Sequence, residues 1–203
     1  MNPITIGREL ASAWALVASY PLECLTILQI PRRFRRSRDA VILIHGHGGD
    51  RTNLLAMSML LRMAGFDSIG FFAYPARQSV EVSALQLTEM AAQADGGAGV
   101  HFIGHSLGGT IARIAVARSE NGRTRSLVTL ASPYSETQQS PHEVAIFGSD
   151  DPIVPPPPGP SFPDGMFKRL IVLRHTGHLG VLHHGEAIRI TLTELTANRL
   201  AVQ

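Results

Sequence analysis

Six short apolar runs set the frame of this chain: Ala40–Ile44, Ser68–Tyr74, Val100–Ile103, Ser126–Leu130, Val144–Phe147 and Leu170–Leu173. Most are rich in β-branched residues and continuous rather than alternating, the pattern of strands covered on both faces. Between them lie stretches of helical period: Asn53–Met63, Val80–Ala94, Ile111–Arg118 and His184–Leu200. Strand–helix alternation predicts an α/β fold with a mostly parallel central sheet of about six strands, and right-handed crossovers place helices on both faces. Pro155–Pro160 is expected to be a stiff extended loop, because proline donates nothing to a sheet ladder. No internal repeat is visible, and nothing between Tyr134 and Glu143 is long enough for a second domain.

The most specific local pattern is Gly104-His105-Ser106-Leu107-Gly108, with a predicted strand before it and a predicted helix after it. A serine on so sharp a strand-to-helix turn adopts a strained backbone, and the flanking glycines remove side chains that would clash. The turn pushes the hydroxyl out above the strand ends, and the helix that follows aims its free N–H groups at the same place. Gly104, His105 and Gly108 therefore form the expected elbow around a nucleophile, Ser106.

A serine hydroxyl needs a base, and the base needs an orienting carboxylate. Of nine histidines, His178 is the expected base. It follows the run Leu170–Leu173 and sits in Thr176-Gly177-His178-Leu179-Gly180, a loop that glycines can bend. His175 reads as a strand-end residue, and His142 lies at the wrong end of a predicted strand. Asp151, after Val144–Phe147 and before Pro152, is the expected orienter, with Asp150 as the alternative. The oxyanion is expected to receive the N–H groups of Leu107, next to the nucleophile, and of His47, in the glycine-rich loop His45–Gly49. His45 is expected to brace neighbouring loops. His183 and His184 read as the start of the last helix. They lack a third ligand at suitable spacing, so no metal is expected.

Composition excludes several classes. At 44% hydrophobic and 17% charged the chain is no disordered tail, and a net charge of +2 over 203 residues argues against nucleic-acid binding. The single cysteine, Cys24, excludes an internal disulfide framework and a cysteine-based zinc cluster. Arg32, Arg33, Arg35, Arg36 and Arg38 follow the most apolar long stretch, Leu10–Ile30, which Pro21 and Glu23 interrupt. Residues 1–39 are expected to be an N-terminal helical extension with an arginine-rich linker. A soluble, cytoplasmic protein is the primary expectation. A peripheral membrane contact through residues 10–38 is the alternative, and a membrane anchor the third reading.

In the glycine-rich loop, the elbow continuing to Gly109, Thr129-Leu130-Ala131-Ser132-Pro133, Gly148–Pro155 and Thr176–Leu182, the chain resembles the α/β-hydrolase superfamily and, within it, the small bacterial lipases and esterases. These pieces occur in the family's order and cover Ala40 to the C-terminus. The resemblance implies a single hydrolase domain over residues 40–203 without a large cap. It implies a carboxylic-ester hydrolase working through an acyl-enzyme, with no cofactor or metal. The family's triad maps onto Ser106, Asp151 and His178, and its oxyanion donors onto His47 and Leu107. One departure is Tyr134-Ser135-Glu136-Thr137, where such lipases often continue with a Gly-Thr pair. The site mouth is expected to draw on Tyr134, Ile153, Val154, Leu179, Val181 and Leu182, which suits a small apolar ester with a short or medium acyl chain. Other acyl-transfer chemistry (a thioesterase, phospholipase or acyltransferase) is the alternative, and a non-catalytic binder the third.

Overall fold

The computed structural model describes residues 3–11, 39–94, 97–119, 123–134, 140–157 and 167–200. Helix α1 covers residues 3–11. From there the order is β1 (Ala40–Ile44), a 3-10 turn (Arg51–Leu54), α2 (Leu55–Met63), β2 (Ser68–Phe72), α3 (Val80–Ala94), β3 (Val100–His105) and α4 (Leu107–Arg118). β4 (Thr124–Leu130), β5 (Ser140–Gly148), β6 (Phe167–Leu173), α5 (Gly180–His183) and α6 (Gly185–Leu200) follow. All six expected strands are present and form one sheet in the order β2-β1-β3-β4-β5-β6, every neighbouring pair parallel.

The two-residue period of a strand sorts the apolar side chains into two cores. Val41, Leu43, Ile103, Val128, Leu130 and Ile146 face the 3-10 turn, α2, α5 and α6, where they meet Leu54, Met57, Leu61, Val181, Ile190 and Leu195. Ala40, Ile42, Ile44, Phe102 and Leu127 face α3 and α4, where they meet Ala84, Leu87, Ile111, Ala112 and Ala115. Every residue of β1 is buried, as a strand covered on both faces requires. β6 differs. It is the sheet edge, and Leu170 and Val172 remain exposed, because an edge strand loses cover that a central one keeps.

The chain runs from β1 outward to β2, then back across to β3 on the other side of β1. The crevice at the carboxyl ends of β1 and β3 is therefore a topological switch point, where open α/β sheets collect their functional residues. Among the described residues there is no cap domain. β5 begins at Ser140 rather than Val144, which shortens the link from β4 further. No helix among the described residues is long and apolar enough to cross a membrane. Most of Leu10–Ile30, and the arginine cluster after it, fall outside the described residues.

Among the described residues, a charged pair lies inside this fold. Arg113 on α4 and Glu143 on β5 are 4% and 0% exposed. Arg113 Nε and Nη2 donate to the two Glu143 oxygens at 2.8 Å each, and its Nη1 donates to the Pro133 carbonyl at 2.8 Å. Thr129 Oγ1 also donates to Glu143. The helix that begins after Ser106 is thereby tied to two strands and to the loop after β4. A glutamate in an otherwise apolar strand, with an arginine in an apolar helix, was the available sequence signal for this pair.

Candidate active site

Strand β3 continues through Gly104 and His105, and α4 begins at Leu107, so Ser106 alone makes the turn. Its backbone has φ 51° and ψ −125°, a left-handed conformation that costs a non-glycine residue roughly 1–3 kcal/mol. The surroundings over-determine it. Ser106 N–H donates to the Leu130 carbonyl at 2.9 Å. A Cβ on Gly104 would lie 2.5 Å from Gly109 Cα, and one on Gly108 would lie 2.3 Å from the His45 oxygen. Both positions must be glycine for β3, α4 and the loop after β1 to meet. Leu107 is the first residue of α4, so its N–H is among those a helix leaves without an internal acceptor.

Asp151 and His178, far apart in the sequence, are joined here. His178 Nδ1–H donates to Asp151 Oδ2 at 2.8 Å, and both residues are buried. The other Asp151 oxygen accepts from the N–H groups of Ile153 at 2.8 Å and Val154 at 2.9 Å. The carboxylate is thus fixed on both oxygens, and with Nδ1 engaged the other ring nitrogen, Nε2, is the one available to a substrate or nucleophile. The loops carrying these residues are stitched together: Ser149 N–H donates to the Leu173 carbonyl at 2.9 Å and Asp150 N–H to the Thr176 carbonyl at 3.0 Å. Asp150 is engaged elsewhere, accepting from Ser149 Oγ at 2.6 Å and from Thr5 Oγ1. Those hydrogen bonds, Ser149's foremost, hold its carboxyl below the usual carboxylate range.

His105 links the two halves of the site. Its Nε2–H donates to the His178 carbonyl at 3.2 Å, and the two rings lie 4.8 Å apart. Burial, with the neighbouring His178 as the next cause, pushes its pKa down to about 4, so the ring is neutral. The loop after β1 approaches from the other side. A Cβ on Gly46 would be 2.9 Å from His105 Nδ1 and 3.0 Å from Ser106 Cβ. His45 braces this loop as its position implied. It donates from Nδ1 to the Gly46 carbonyl at 2.8 Å, and its ring stacks on Tyr74 at 4.6 Å. Tyr74 in turn donates to the His45 carbonyl at 2.9 Å, and burial raises its pKa to about 12. His47 is exposed at the tip of this turn.

The expected site mouth needs correction. Val181 and Leu182, at 0% and 2% exposed, belong to the core beneath the sheet and cannot line an open pocket. Val154 is buried against Ala145 and Phe147. Tyr134, half-buried, meets Phe147 edge-on at 5.8 Å. Ile153 is 67% exposed, and Leu179 is half-buried against the core. Tyr134, Ile153 and Leu179 therefore remain as candidate lining residues. The Pro155 loop beyond residue 157 lies outside the described residues. His183 closes α5 and His184 lies between α5 and α6, so neither begins the last helix. Gly177 and Gly180 lack the positive φ of a bend; that conformation falls on His175, at φ 50°.

With this geometry in place, the likeness to known proteins is specific. The family model for palmitoyl protein thioesterase matches residues 40–155. Among curated proteins no sequence matches. The fold is shared with a bacterial membrane phospholipase A, at TM-score 0.63 and 15% identity over 82% of this chain and 81% of that one. It is shared with esterase PE8, at 0.62 and 16% over 79% and 92%. The thioesterase of the prodiginine biosynthetic pathway in Streptomyces coelicolor matches at 0.57 and 11%, over 83% and 89%. These identities establish the fold, which hosts all three chemistries.

Proposed function

As the chain belongs to the palmitoyl protein thioesterase family, within the α/β-hydrolase superfamily, we propose that it is a serine hydrolase of acyl esters working through an acyl-enzyme on Ser106. One observation carries this reading: the buried Asp151–His178 hydrogen bond of 2.8 Å, in a loop whose backbone touches the residue next to a strained serine.

In the proposed cycle His178 Nε2 takes the Ser106 proton as Oγ attacks the acyl carbonyl. Asp151 holds the ring and stabilises its cation. The developing oxyanion receives the N–H groups of Leu107 and His47. The tetrahedral intermediate collapses, the leaving group takes the proton from His178, and the acyl group stays on Ser106. Water then attacks the acyl carbonyl and gives a proton to His178, which returns it to Ser106 Oγ as the acid leaves. Tyr134, Ile153 and Leu179 are the apolar residues proposed to meet an acyl chain. Short- and medium-chain oxyesters are the first substrates to test.

A thioester substrate is the second reading, favoured by the family match. The same triad serves both, because Ser106 attacks an acyl carbonyl in either case and only the leaving group differs. p-Nitrophenyl esters of graded chain length, assayed beside S-acyl thioesters of the same chains with Ser106→Ala as control, test both. Turnover of esters at least equal to thioesters supports the first. Thioester turnover alone supports the second. Turnover that survives in Ser106→Ala overturns the mechanism.

A further inference from the structure

Helix α1 lies outside the residues matched by the family, yet it touches both loops of the acid–base pair. Thr5, Arg8 and Glu9 share one face at i, i+3 and i+4. Thr5 is buried and its hydroxyl donates to Asp150, beside Asp151. Arg8 Nη1 donates to the carbonyls of Arg174 at 3.0 Å and His175 at 3.1 Å. Glu9 reaches furthest: Oε2 accepts from Leu179 N–H at 3.0 Å and Oε1 from Gly180 N–H at 2.6 Å. Ile4 and Ile6, which flank this face, and Leu10, on the far side, are all exposed. Among the described residues this helix is therefore docked by its polar face, through specific hydrogen bonds.

We propose that Glu9 is a positioning residue for the general base, holding His178 through the backbone that follows it. The peptide unit between His178 and Leu179 is planar and stiff. Its carbonyl accepts from His105 Nε2 at 3.2 Å, and its N–H donates to Glu9 at 3.0 Å. One rigid plate, attached directly to the His178 Cα, is gripped at both edges, from the elbow on one side and from α1 on the other. The imidazole is held at Nδ1 by Asp151, so backbone and ring are fixed independently. Such double fixing matters because small displacements of a catalytic group are costly in rate.

The glycines of this loop point the same way. Neither Gly177 nor Gly180 has the left-handed φ that requires glycine. A Cβ on Gly177 would lie 2.8 Å from Glu9 Cδ, and one on Gly180 would lie 2.7 Å from Glu9 Oε1. Their missing side chains make room for the Glu9 carboxylate.

The inference rests on the hydrolase reading, and two measurements on the full chain separate them. In Glu9→Gln, kcat on the best p-nitrophenyl ester is expected to fall about tenfold or more with KM within about twofold, since a hydrogen bond to a charged group is being weakened. Amide hydrogen exchange at Leu179 and Gly180 is expected to rise, while Ile6→Ser, at an exposed flank of the helix, leaves both readouts unchanged. Gly177→Ala, which pushes Glu9 aside, is expected to lower kcat in the wild-type background but not further in Glu9→Ala, a non-additivity that does not depend on one variant's stability. An unchanged kcat in Glu9→Gln, or additive losses in the double variant, overturns the positioning role. If the wild type turns over no ester or thioester, the hydrolase reading fails. Exchange then decides whether Glu9 holds the loop, and unchanged protection at Leu179 and Gly180 overturns that as well.

Discussion

The serine side and the acid–base side of this site are held in place by different means. Ser106 lies on one continuous piece of chain, β3 to α4, and backbone contacts at Gly104 and Gly108 leave it a single conformation. Asp151 and His178 lie on two separate loops, held by side-chain and backbone hydrogen bonds that reach as far as α1. The first device is steric and local. The second is polar, adjustable and assembled from three distant segments. The difference implies that changes in the supporting residues around Ser106 show as lost stability, whereas changes in those around Asp151 and His178 show as lost rate.

The largest expected effect tests the chemistry common to both sides. Ser106→Ala and His178→Ala should each lower kcat by about 10⁶, and Asp151→Asn by about 10⁴, with melting temperatures close to wild type. Steady-state assay on p-nitrophenyl esters with parallel calorimetry checks this; near-wild-type rates in any of the three would overturn the proposed chemistry.

Next in size is the support beneath the serine side. Glu143→Ala leaves the Arg113 guanidinium buried and unpaired, which is expected to cost about 3–5 kcal/mol in urea unfolding. A loss under about 1 kcal/mol would mean that the pair does not anchor α4.

Matched alanine insertions compare the two sides directly. In Gly108→Ala the new Cβ meets backbone, 2.3 Å from the His45 oxygen and 2.5 Å from the Ile44 oxygen. In Gly180→Ala it meets the end of the Glu9 side chain at 2.7 Å. The first is expected to cost about 1–3 kcal/mol or more, as overpacking does, and the second less than about 1 kcal/mol, since a side chain can move. Equal costs would erase the distinction.

Acid offers a graded test. His105, which bridges the two sides, and His101, at the far end of β3, both have pKa values lowered to about 4 from 6.5, chiefly by burial. Above 6.5 neither group favours the unfolded chain. As pH falls from 6.5 toward 4 the unfolded chain takes up protons that the native one refuses, so stability falls. Below about 4 the native histidines also protonate and this contribution levels off. The loss is of order 3 kcal/mol per histidine at most. Urea unfolding between pH 7 and 4 should show the decline, and His101→Asn should flatten part of it.

The smallest effect concerns α1. Gly7 sits mid-helix, and a Cβ there would meet nothing within 4 Å. Gly7→Ala should therefore add about 0.5–1 kcal/mol to the helix. Higher amide protection at Leu179 with unchanged KM is the expected signature; weaker protection would mean that α1 is not what holds the loop.

Much of the frame was legible because it follows from short-range patterns. All six apolar runs became strands, and Val80–Ala94 became α3 with those bounds. The elbow was readable because its glycines and serine are consecutive, so the steric conflict they resolve is written in adjacent residues. The partnership of Asp151 and His178 was readable from strand ends and loop order. The pocket was less so. Val154, Val181 and Leu182 look the same in a sequence whether they line a mouth or fill a core, since a short loop has no period to tell its faces apart. The glycines around His178 likewise suggest a flexible turn until the Glu9 carboxylate is seen in the space they leave.

By itself the sequence determined the alternation of strand and helix, the single-residue elbow at Ser106, and which acid and which histidine stood after neighbouring strands. Those are consequences of local sterics and of burial with period two or 3.6. Only the tertiary structure decided that Arg113 and Glu143 neutralise each other inside the fold, that His105 grips the carbonyl of His178, and that a polar helix face from the far N-terminus closes on the same peptide unit. Each of these joins residues distant in sequence through hydrogen bonds whose geometry no local pattern encodes.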